Sequence, residues 1–248
     1  MCRHLAYLGP PITLADLVLT PPHSLYEQSW TPTDMRNGGT VNADGYGLGW
    51  YTDGQVVRYR RNVPIWADPN LPELAGSIRS GAVVAAVRNG TTGMPYGEGA
   101  VAPFRSGEWL FSHNGRVPGW PDSMVKLAEQ LPTADLLGLD ASVDSALVFA
   151  LIRHRMAGHT DPEDAVVSVV QDVEAAAPGS RLNLLLTNGT HLIATTWTHS
   201  LHVHRTDKSI TVASEPFGAE RGWTEVPDRT LLVATVTTLQ LTPMEGPA

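Results

Sequence analysis

Hairpins run back to back through the last third of this chain, and that pattern constrains the fold more than any other feature. RLNLLLTNG (181–189), HLIATTWT (191–198), LHVHRT (201–206), SITVAS (209–214) and TLLVAT (230–235) read as strands. Asn188-Gly189 and Asp207-Lys208 punctuate them as turns. Short turns between strand-length runs force antiparallel pairing. The first half carries three more strands, CRHLAYLG (2–9), GAVVAAVRNG (81–90) and WLFSHNGRV (109–117). A further hairpin, GYGLGWYTDGQVVRYRR (45–61), turns at Asp53-Gly54. Helical patterns fall at TLADLVLTP (13–21), with Thr13 as N-cap, and at LPELAGSI (71–78). Three more are grouped together: DSMVKLAEQL (122–131), DSALVFALIRHRM (144–156) and PEDAVVSVVQDVEAAA (162–177), the last with Asp161 as N-cap. Helices segregated from strands imply an α+β layered architecture; a parallel doubly wound sheet needs alternation throughout. Residues 31–45, rich in Gly, Thr, Asn and Asp, read as a loop.

The chain of 248 residues is long enough for one sizeable core, and a single domain over residues 2–248 is expected. Its net charge of −8 argues against a nucleic-acid partner, which requires a basic face. The apolar runs are strand-length, so no membrane span is expected. LAYLGPPITLADL is interrupted by Gly9, Pro10, Pro11 and Asp16 and does not read as a signal peptide. One cysteine and no secretory signal fit a cytoplasmic location.

That cysteine, Cys2, directly follows Met1. A lone cysteine is ordinarily a small buried hydrophobe. At this position, removal of Met1 leaves a thiol and a free α-amine on one residue. An α-amine titrating near ~8 can serve as the base a thiol nucleophile needs. Three loops end predicted strands with small or polar residues: NADGYGLGW (42–50), RNGTTG (88–93) and SHNGRV (112–117); VDSA (143–146) opens a helix. Asn114 and Gly115 supply candidate oxyanion donors. Arg88 and Asp144 are candidates for gripping an α-carboxylate and an α-ammonium.

In this ordered set the chain resembles a class II glutamine amidotransferase domain of the N-terminal nucleophile hydrolase superfamily. The residues that carry the resemblance are Cys2, Asp44-Gly45, Gly47, Arg88, Ser112-His113-Asn114-Gly115, Asp144 and the ASEPFG stretch at 213–218. The resemblance implies a four-layer αββα sandwich of two antiparallel sheets. It implies Cys2 as nucleophile and α-amine base, Asn114 and Gly115 as oxyanion hole, and Arg88 and Asp144 as the glutamyl grip. Asn89, Thr91 and His113 are expected at the substrate pocket, with His113 structural rather than catalytic. Asp44 is expected to hold its loop rather than touch substrate. Members often carry His where this chain has Ala86, an aromatic where it has Asn89, and a His-Pro-His-like stretch where it has Ala102-Pro103-Phe104. These departures fall where the amide leaves.

No room remains for an ammonia-accepting domain, so a stand-alone hydrolase of a small γ-glutamyl amide is expected, with no cofactor and no metal. A stand-alone glutamine amidotransferase and a non-catalytic γ-glutamyl binding module remain as alternatives. Oligomeric state is not legible. Of the tryptophans, Trp30, Trp50, Trp109 and Trp120 are candidates for a leaving-group pocket. His199, His202 and His204 are expected on an exposed hairpin, and RHRMAGH (153–159) as a cationic helix end.

Overall fold

A computed structural model describes residues 2–36, 41–219 and 221–246. Residues 37–40 of the expected loop lie outside the described residues. The strands are β1 (Arg3–Thr13), β2 (Tyr46–Thr52), β3 (Gln55–Arg61), β4 (Arg79–Val87), β5 (Phe104–Ser106), β6 (Trp109–Arg116), β7 (Arg181–Thr187), β8 (Leu192–Thr196), β9 (His202–Arg205), β10 (Ile210–Ala213), β11 (Thr224–Glu225), β12 (Thr230–Ala234) and β13 (Leu239–Pro243). The helices are α1 (Leu14–Val18), α2 (Leu25–Gln28), α3 (Leu71–Ser77), α4 (Val125–Ala128), α5 (Thr133–Leu137), α6 (Asp144–Ala157) and α7 (Pro162–Ala176).

The strands form two antiparallel sheets, ordered β11-β9-β10-β1-β4-β2-β3 and β13-β12-β8-β7-β6-β5. Side-chain alternation along each strand builds the layers. On β1, Leu5 and Tyr7 pack outward with Leu14, Leu17 and Leu71 of α1 and α3. Ala6 and Leu8 point the other way and meet Leu110, Leu185 and Leu232 of the second sheet. The far face of that sheet, with Phe111, Leu184 and Leu186, packs on α6 and α7. Helices, sheet, sheet, helices is the αββα order that the resemblance implied.

Local chemistry explains the element ends. Thr13 Oγ1 accepts the Asp16 N–H at 3.0 Å, the cap expected for α1. Asp161 stands at the N-cap of α7 but makes no side-chain cap bond, so only its position was anticipated. Asp53 and Gly54, at φ +50° and +72°, make a tight turn of the left-handed kind that suits a twisted hairpin. The first strand runs longer than expected, through Pro10 and Pro11 to Thr13. Its pairing with β10 ends at Leu8 and its register with β4 shifts between Leu8 and Ile12, so the prolines interrupt no regular ladder. The helix expected over 122–131 is reduced to a short turn and α4.

The histidines correct another expectation. His199 and His204 are buried rather than on an exposed hairpin. His204 packs against the Trp223 ring at 5.4 Å. Among the described residues no group of three or more His, Cys, Asp or Glu is placed to hold a metal ion. No helix among them is long and apolar enough to cross a membrane. His154 and Arg155 do lie in the last turn of α6, where positive charge suits the helix dipole.

Candidate active site

Cys2 immediately precedes β1, and its neighbour Arg3 pairs in register with Val87, the last residue of β4. The pairing sets Cys2 beside the turn that begins at Arg88. The Cys2 thiol lies 3.7 Å from the Asn89 carbonyl, to which it donates.

That turn is held from the side by Asp44 and Gly45. The Asp44 N–H donates to the Arg88 carbonyl at 3.0 Å and the Arg88 N–H donates to the Gly45 carbonyl at 2.7 Å. The Asp44 carboxylate accepts the Gly90 N–H at 2.7 Å. Asp44 therefore braces the neighbouring Arg88–Gly90 turn, where the expectation was that it holds its own loop. Gly45 adopts φ +131°, and a Cβ there would meet the Arg61 carbonyl at 2.8 Å, so glycine is required.

Arg88 is 8% exposed. Its Nη2 donates to the Pro95 carbonyl at 3.1 Å, and its guanidinium lies 5.9 Å from the Tyr96 ring centroid. Nη1 is buried and has no partner among the described residues. A buried guanidinium with one donor unspent is costly unless an acceptor arrives, and a ligand carboxylate meets that need.

Asn114 and Gly115 lie near the end of β6. Asn114 is fully buried; its Nδ2 donates to Ser214 Oγ at 3.4 Å. A Cβ on Gly115 would lie 1.8 Å from the Arg181 carbonyl, so no other residue fits there. His113 Nε2 donates to that same carbonyl at 2.7 Å, leaving Nδ1 to accept the Ser145 hydroxyl at 3.0 Å. Both ring nitrogens are engaged, which suits a structural part and not a base. Asp144 opens α6, and its carboxylate accepts the Val117 N–H at 2.9 Å and the Ser145 N–H at 2.7 Å. Asp144 is thereby fixed to the chain leaving Gly115.

Two cavities adjoin these groups. A small one, about 30 Å³, is lined by Cys2, Arg88 and His113 and by Ala86, Ala102 and Phe104. The last three are among the positions where the chain departs from the amidotransferase pattern, and they share this cavity with Cys2. A larger cleft of about 460 Å³, in the range of small-molecule sites, is bounded by Thr91–Pro95, Arg116–Pro121 and Ser142. Each wall continues a segment carrying Arg88, Asn114-Gly115 or Asp144. Trp120 alone of the four tryptophans lines it. Trp50 is buried beneath α1 and α3, Trp109 packs on the α6–α7 core, and Trp30 is edge-on to Tyr26 and Trp66. Asn89 contributes its carbonyl, and Thr91 lies on the cleft wall.

A family model for class-II glutamine amidotransferases matches residues 26–245. The chain belongs to this family. Among its amidotransferase relatives, the γ-glutamyl-hercynylcysteine sulfoxide hydrolase of Mycolicibacterium smegmatis is 42% identical over 94% of this chain and 95% of its own. The protein of the same name from Mycobacterium tuberculosis is 38% identical over 99% and 97%. A probable glutamine amidotransferase of Saccharomyces cerevisiae is 28% identical over 98% and 84%. The class-II domain protein from Silicibacter pomeroyi superposes with a TM-score of 0.71 at 24% identity, over 98% of this chain and 100% of that one. The glutamine phosphoribosylpyrophosphate amidotransferase of B. subtilis gives 0.70 at 17%, over 98% and 49%. These likenesses show the fold.

Residues that sequence reasoning missed lie behind the site. Arg3, fully buried, pairs with Glu215 at 2.9 Å and also donates to the Asp34 carbonyl. Glu215 further accepts His23 Nε2 at 2.6 Å, the Thr33 hydroxyl at 2.7 Å and the Thr33 and Asp34 N–H groups at 2.9 and 3.0 Å. Burial pushes this carboxyl up, but the bonds from His23 and Thr33 and the charge of Arg3 outweigh it and hold it at about 2. A signal was present: an arginine inside the apolar run CRHLAYLG needs a buried partner.

Proposed function

We propose that this chain hydrolyses the N-γ-glutamyl bond of γ-glutamyl-hercynylcysteine sulfoxide, releasing glutamate and hercynylcysteine sulfoxide. The likeness over 94% and 99% of the chain to two hydrolases of that name supports the substrate. The observation that carries the chemistry is the buried Arg88 Nη1, without a partner among the described residues, beside the Asn89 carbonyl that the Cys2 thiol contacts. Residues 2–248 act in this reading as one amidohydrolase domain, in the cytoplasm.

Removal of Met1 gives Cys2 a free α-amine that takes the thiol proton. Arg88 holds the glutamyl α-carboxylate and Asp144 the α-ammonium. Sγ attacks the γ-carbonyl carbon, and the Asn114 Nδ2–H and Gly115 N–H stabilise the oxyanion. Collapse breaks the C–N bond; the Cys2 ammonium protonates the leaving nitrogen. Water then attacks the thioester, freeing glutamate and the thiol. Ala86, Ala102 and Phe104 give the wall beside Cys2 an apolar surface, where a bulky amine leaves in place of ammonia.

Glutamate release by the Met-processed protein from this sulfoxide and from free glutamine, side by side, tests the substrate. Release mainly from the sulfoxide is expected. Release mainly from glutamine would favour the second reading, a stand-alone glutamine amidotransferase, which the likeness to the yeast protein supports. Arg88→Ala is expected to lower kcat/KM about 100-fold, mainly through KM, because a charge-assisted pair is lost. An unchanged kcat/KM would remove Arg88 from the site.

A further inference from the structure

We infer that Ser214 is a positioning residue for this chemistry: its hydroxyl fixes which way the Asn114 carboxamide points. The inference rests on Asn114 acting as an oxyanion donor. A serine hydroxyl has one proton to give and two lone pairs to share. Ser214 gives its proton to the His4 carbonyl at 3.3 Å. One lone pair accepts the His4 N–H at 3.0 Å. The Ser214 main chain is pinned as well: its N–H donates to the His4 carbonyl at 3.0 Å, and its own carbonyl accepts the Ser200 hydroxyl at 3.0 Å. Toward Asn114 the hydroxyl therefore has only a lone pair left.

A lone pair accepts Nδ2–H and repels Oδ1. One Nδ2–H of Asn114 is thereby spent on Ser214, and the other stays available for the oxyanion. No second contact orients the amide, since Asn114 Oδ1 is buried without a partner among the described residues. Without the Ser214 hydroxyl the carboxamide can turn over, which would present an acceptor oxygen to a developing negative charge. The same hydroxyl ties the strand that follows Cys2, in one sheet, to the strand end that carries Asn114, in the other. Ser214 is thus placed to act on the oxyanion site through Asn114, without touching substrate.

A double-mutant cycle of Ser214→Ala and Asn114→Ala tests this, with kcat and KM for glutamate release from γ-glutamyl-hercynylcysteine sulfoxide. The rate of Cys2 alkylation by iodoacetamide, which forms no oxyanion, and the melting temperature are read alongside. Ser214→Ala is expected to lower kcat about 10- to 100-fold, with KM and the alkylation rate within about twofold. In the Asn114→Ala background it is expected to cost less than about twofold more, since residues acting as a unit are not additive. Equal losses in both backgrounds, or a joint fall of kcat and alkylation rate, would overturn the inference. If the alanine variant does not fold, Ser214→Thr, which keeps the hydroxyl, should exceed its isostere Ser214→Val in kcat by about tenfold or more; equal rates would overturn it too. Asn114→Ala with undiminished kcat would instead sink the oxyanion reading and this inference with it.

Discussion

Cys2→Ala is expected to abolish glutamate release, by about 10⁶-fold in kcat, while substrate still binds within a few-fold of the parent. Cys2 is the chain's one cysteine, so no second thiol can substitute. His113 cannot step in as a base acting on water, because Arg181 and Ser145 occupy its two ring nitrogens. The residues assigned to the glutamyl ends, Arg88 and Asp144, are untouched by the substitution, and their main contacts run to other parts of the chain. Binding measured by calorimetry should therefore survive when turnover does not. Turnover within about 100-fold of the parent would show that the thiol is not the nucleophile.

Acid is expected to unfold the protein earlier than its carboxylates alone would dictate. Burial, reinforced by the neighbouring His113 and His199, pushes His4 down to about 3. Burial and the charges of Arg181 and Arg3 push His199 down to about 3 as well. Both values lie below the unfolded value of about 6.5. The unfolded chain thus binds protons that the folded chain refuses. The resulting stabilisation is whole above pH ~6.5 and is lost as pH falls toward ~3. Each histidine costs on the order of 1 kcal/mol per pH unit across that window, so the loss grows to several kcal/mol over two to three pH units. Against a total of about 5–15 kcal/mol, this is enough to bring unfolding on near pH 5 to 4. Glu215 adds to the loss lower down. Its folded value of about 2 is below the usual 4.5, so its contribution disappears as pH falls through that interval. Urea unfolding at pH 7.5, 6.5 and 5.5 measures the slope. A free energy flat across those three points would show that the two histidines charge freely in the folded state.

The two sheets were legible because hairpin chemistry is local. Asp53-Gly54 and the strand alternation around it determine their own turn and pairing. The helices α6 and α7 were legible from their length. Short elements such as β5, β11, β13 and α5 were not, since two to five residues carry too little periodicity to separate them from loop. Asp161 shows the limit of a capping signal: position follows from sequence, but the bond depends on how the chain enters the helix. The histidines at 199 and 204 were misplaced for a related reason. Polar alternation marks two faces of a strand without saying that the Trp223 ring covers the one carrying His204, and His199 falls in a bend beyond β8, where no alternation speaks to burial.

Local pattern alone was enough to establish the antiparallel α+β architecture and to name candidate chemical groups. Cys2, Arg88, Asn114, Gly115 and Asp144 stand at or near strand or helix ends, and their order carried the resemblance to the amidotransferase family that proposed them as a site. What those groups face is set by the packing of the two sheets. It brought Ala86, Ala102 and Phe104 into one cavity with Cys2, occupied both nitrogens of His113, and left one nitrogen of Arg88 without a partner among the described residues. It also placed Glu215 under Arg3 and Ser214 against Asn114, across 212 and 100 residues of chain. The physical reason is that hydrogen bonds and buried charges act over about 3 Å in space, and only the packing of the sheets brings residues so distant in sequence within that range.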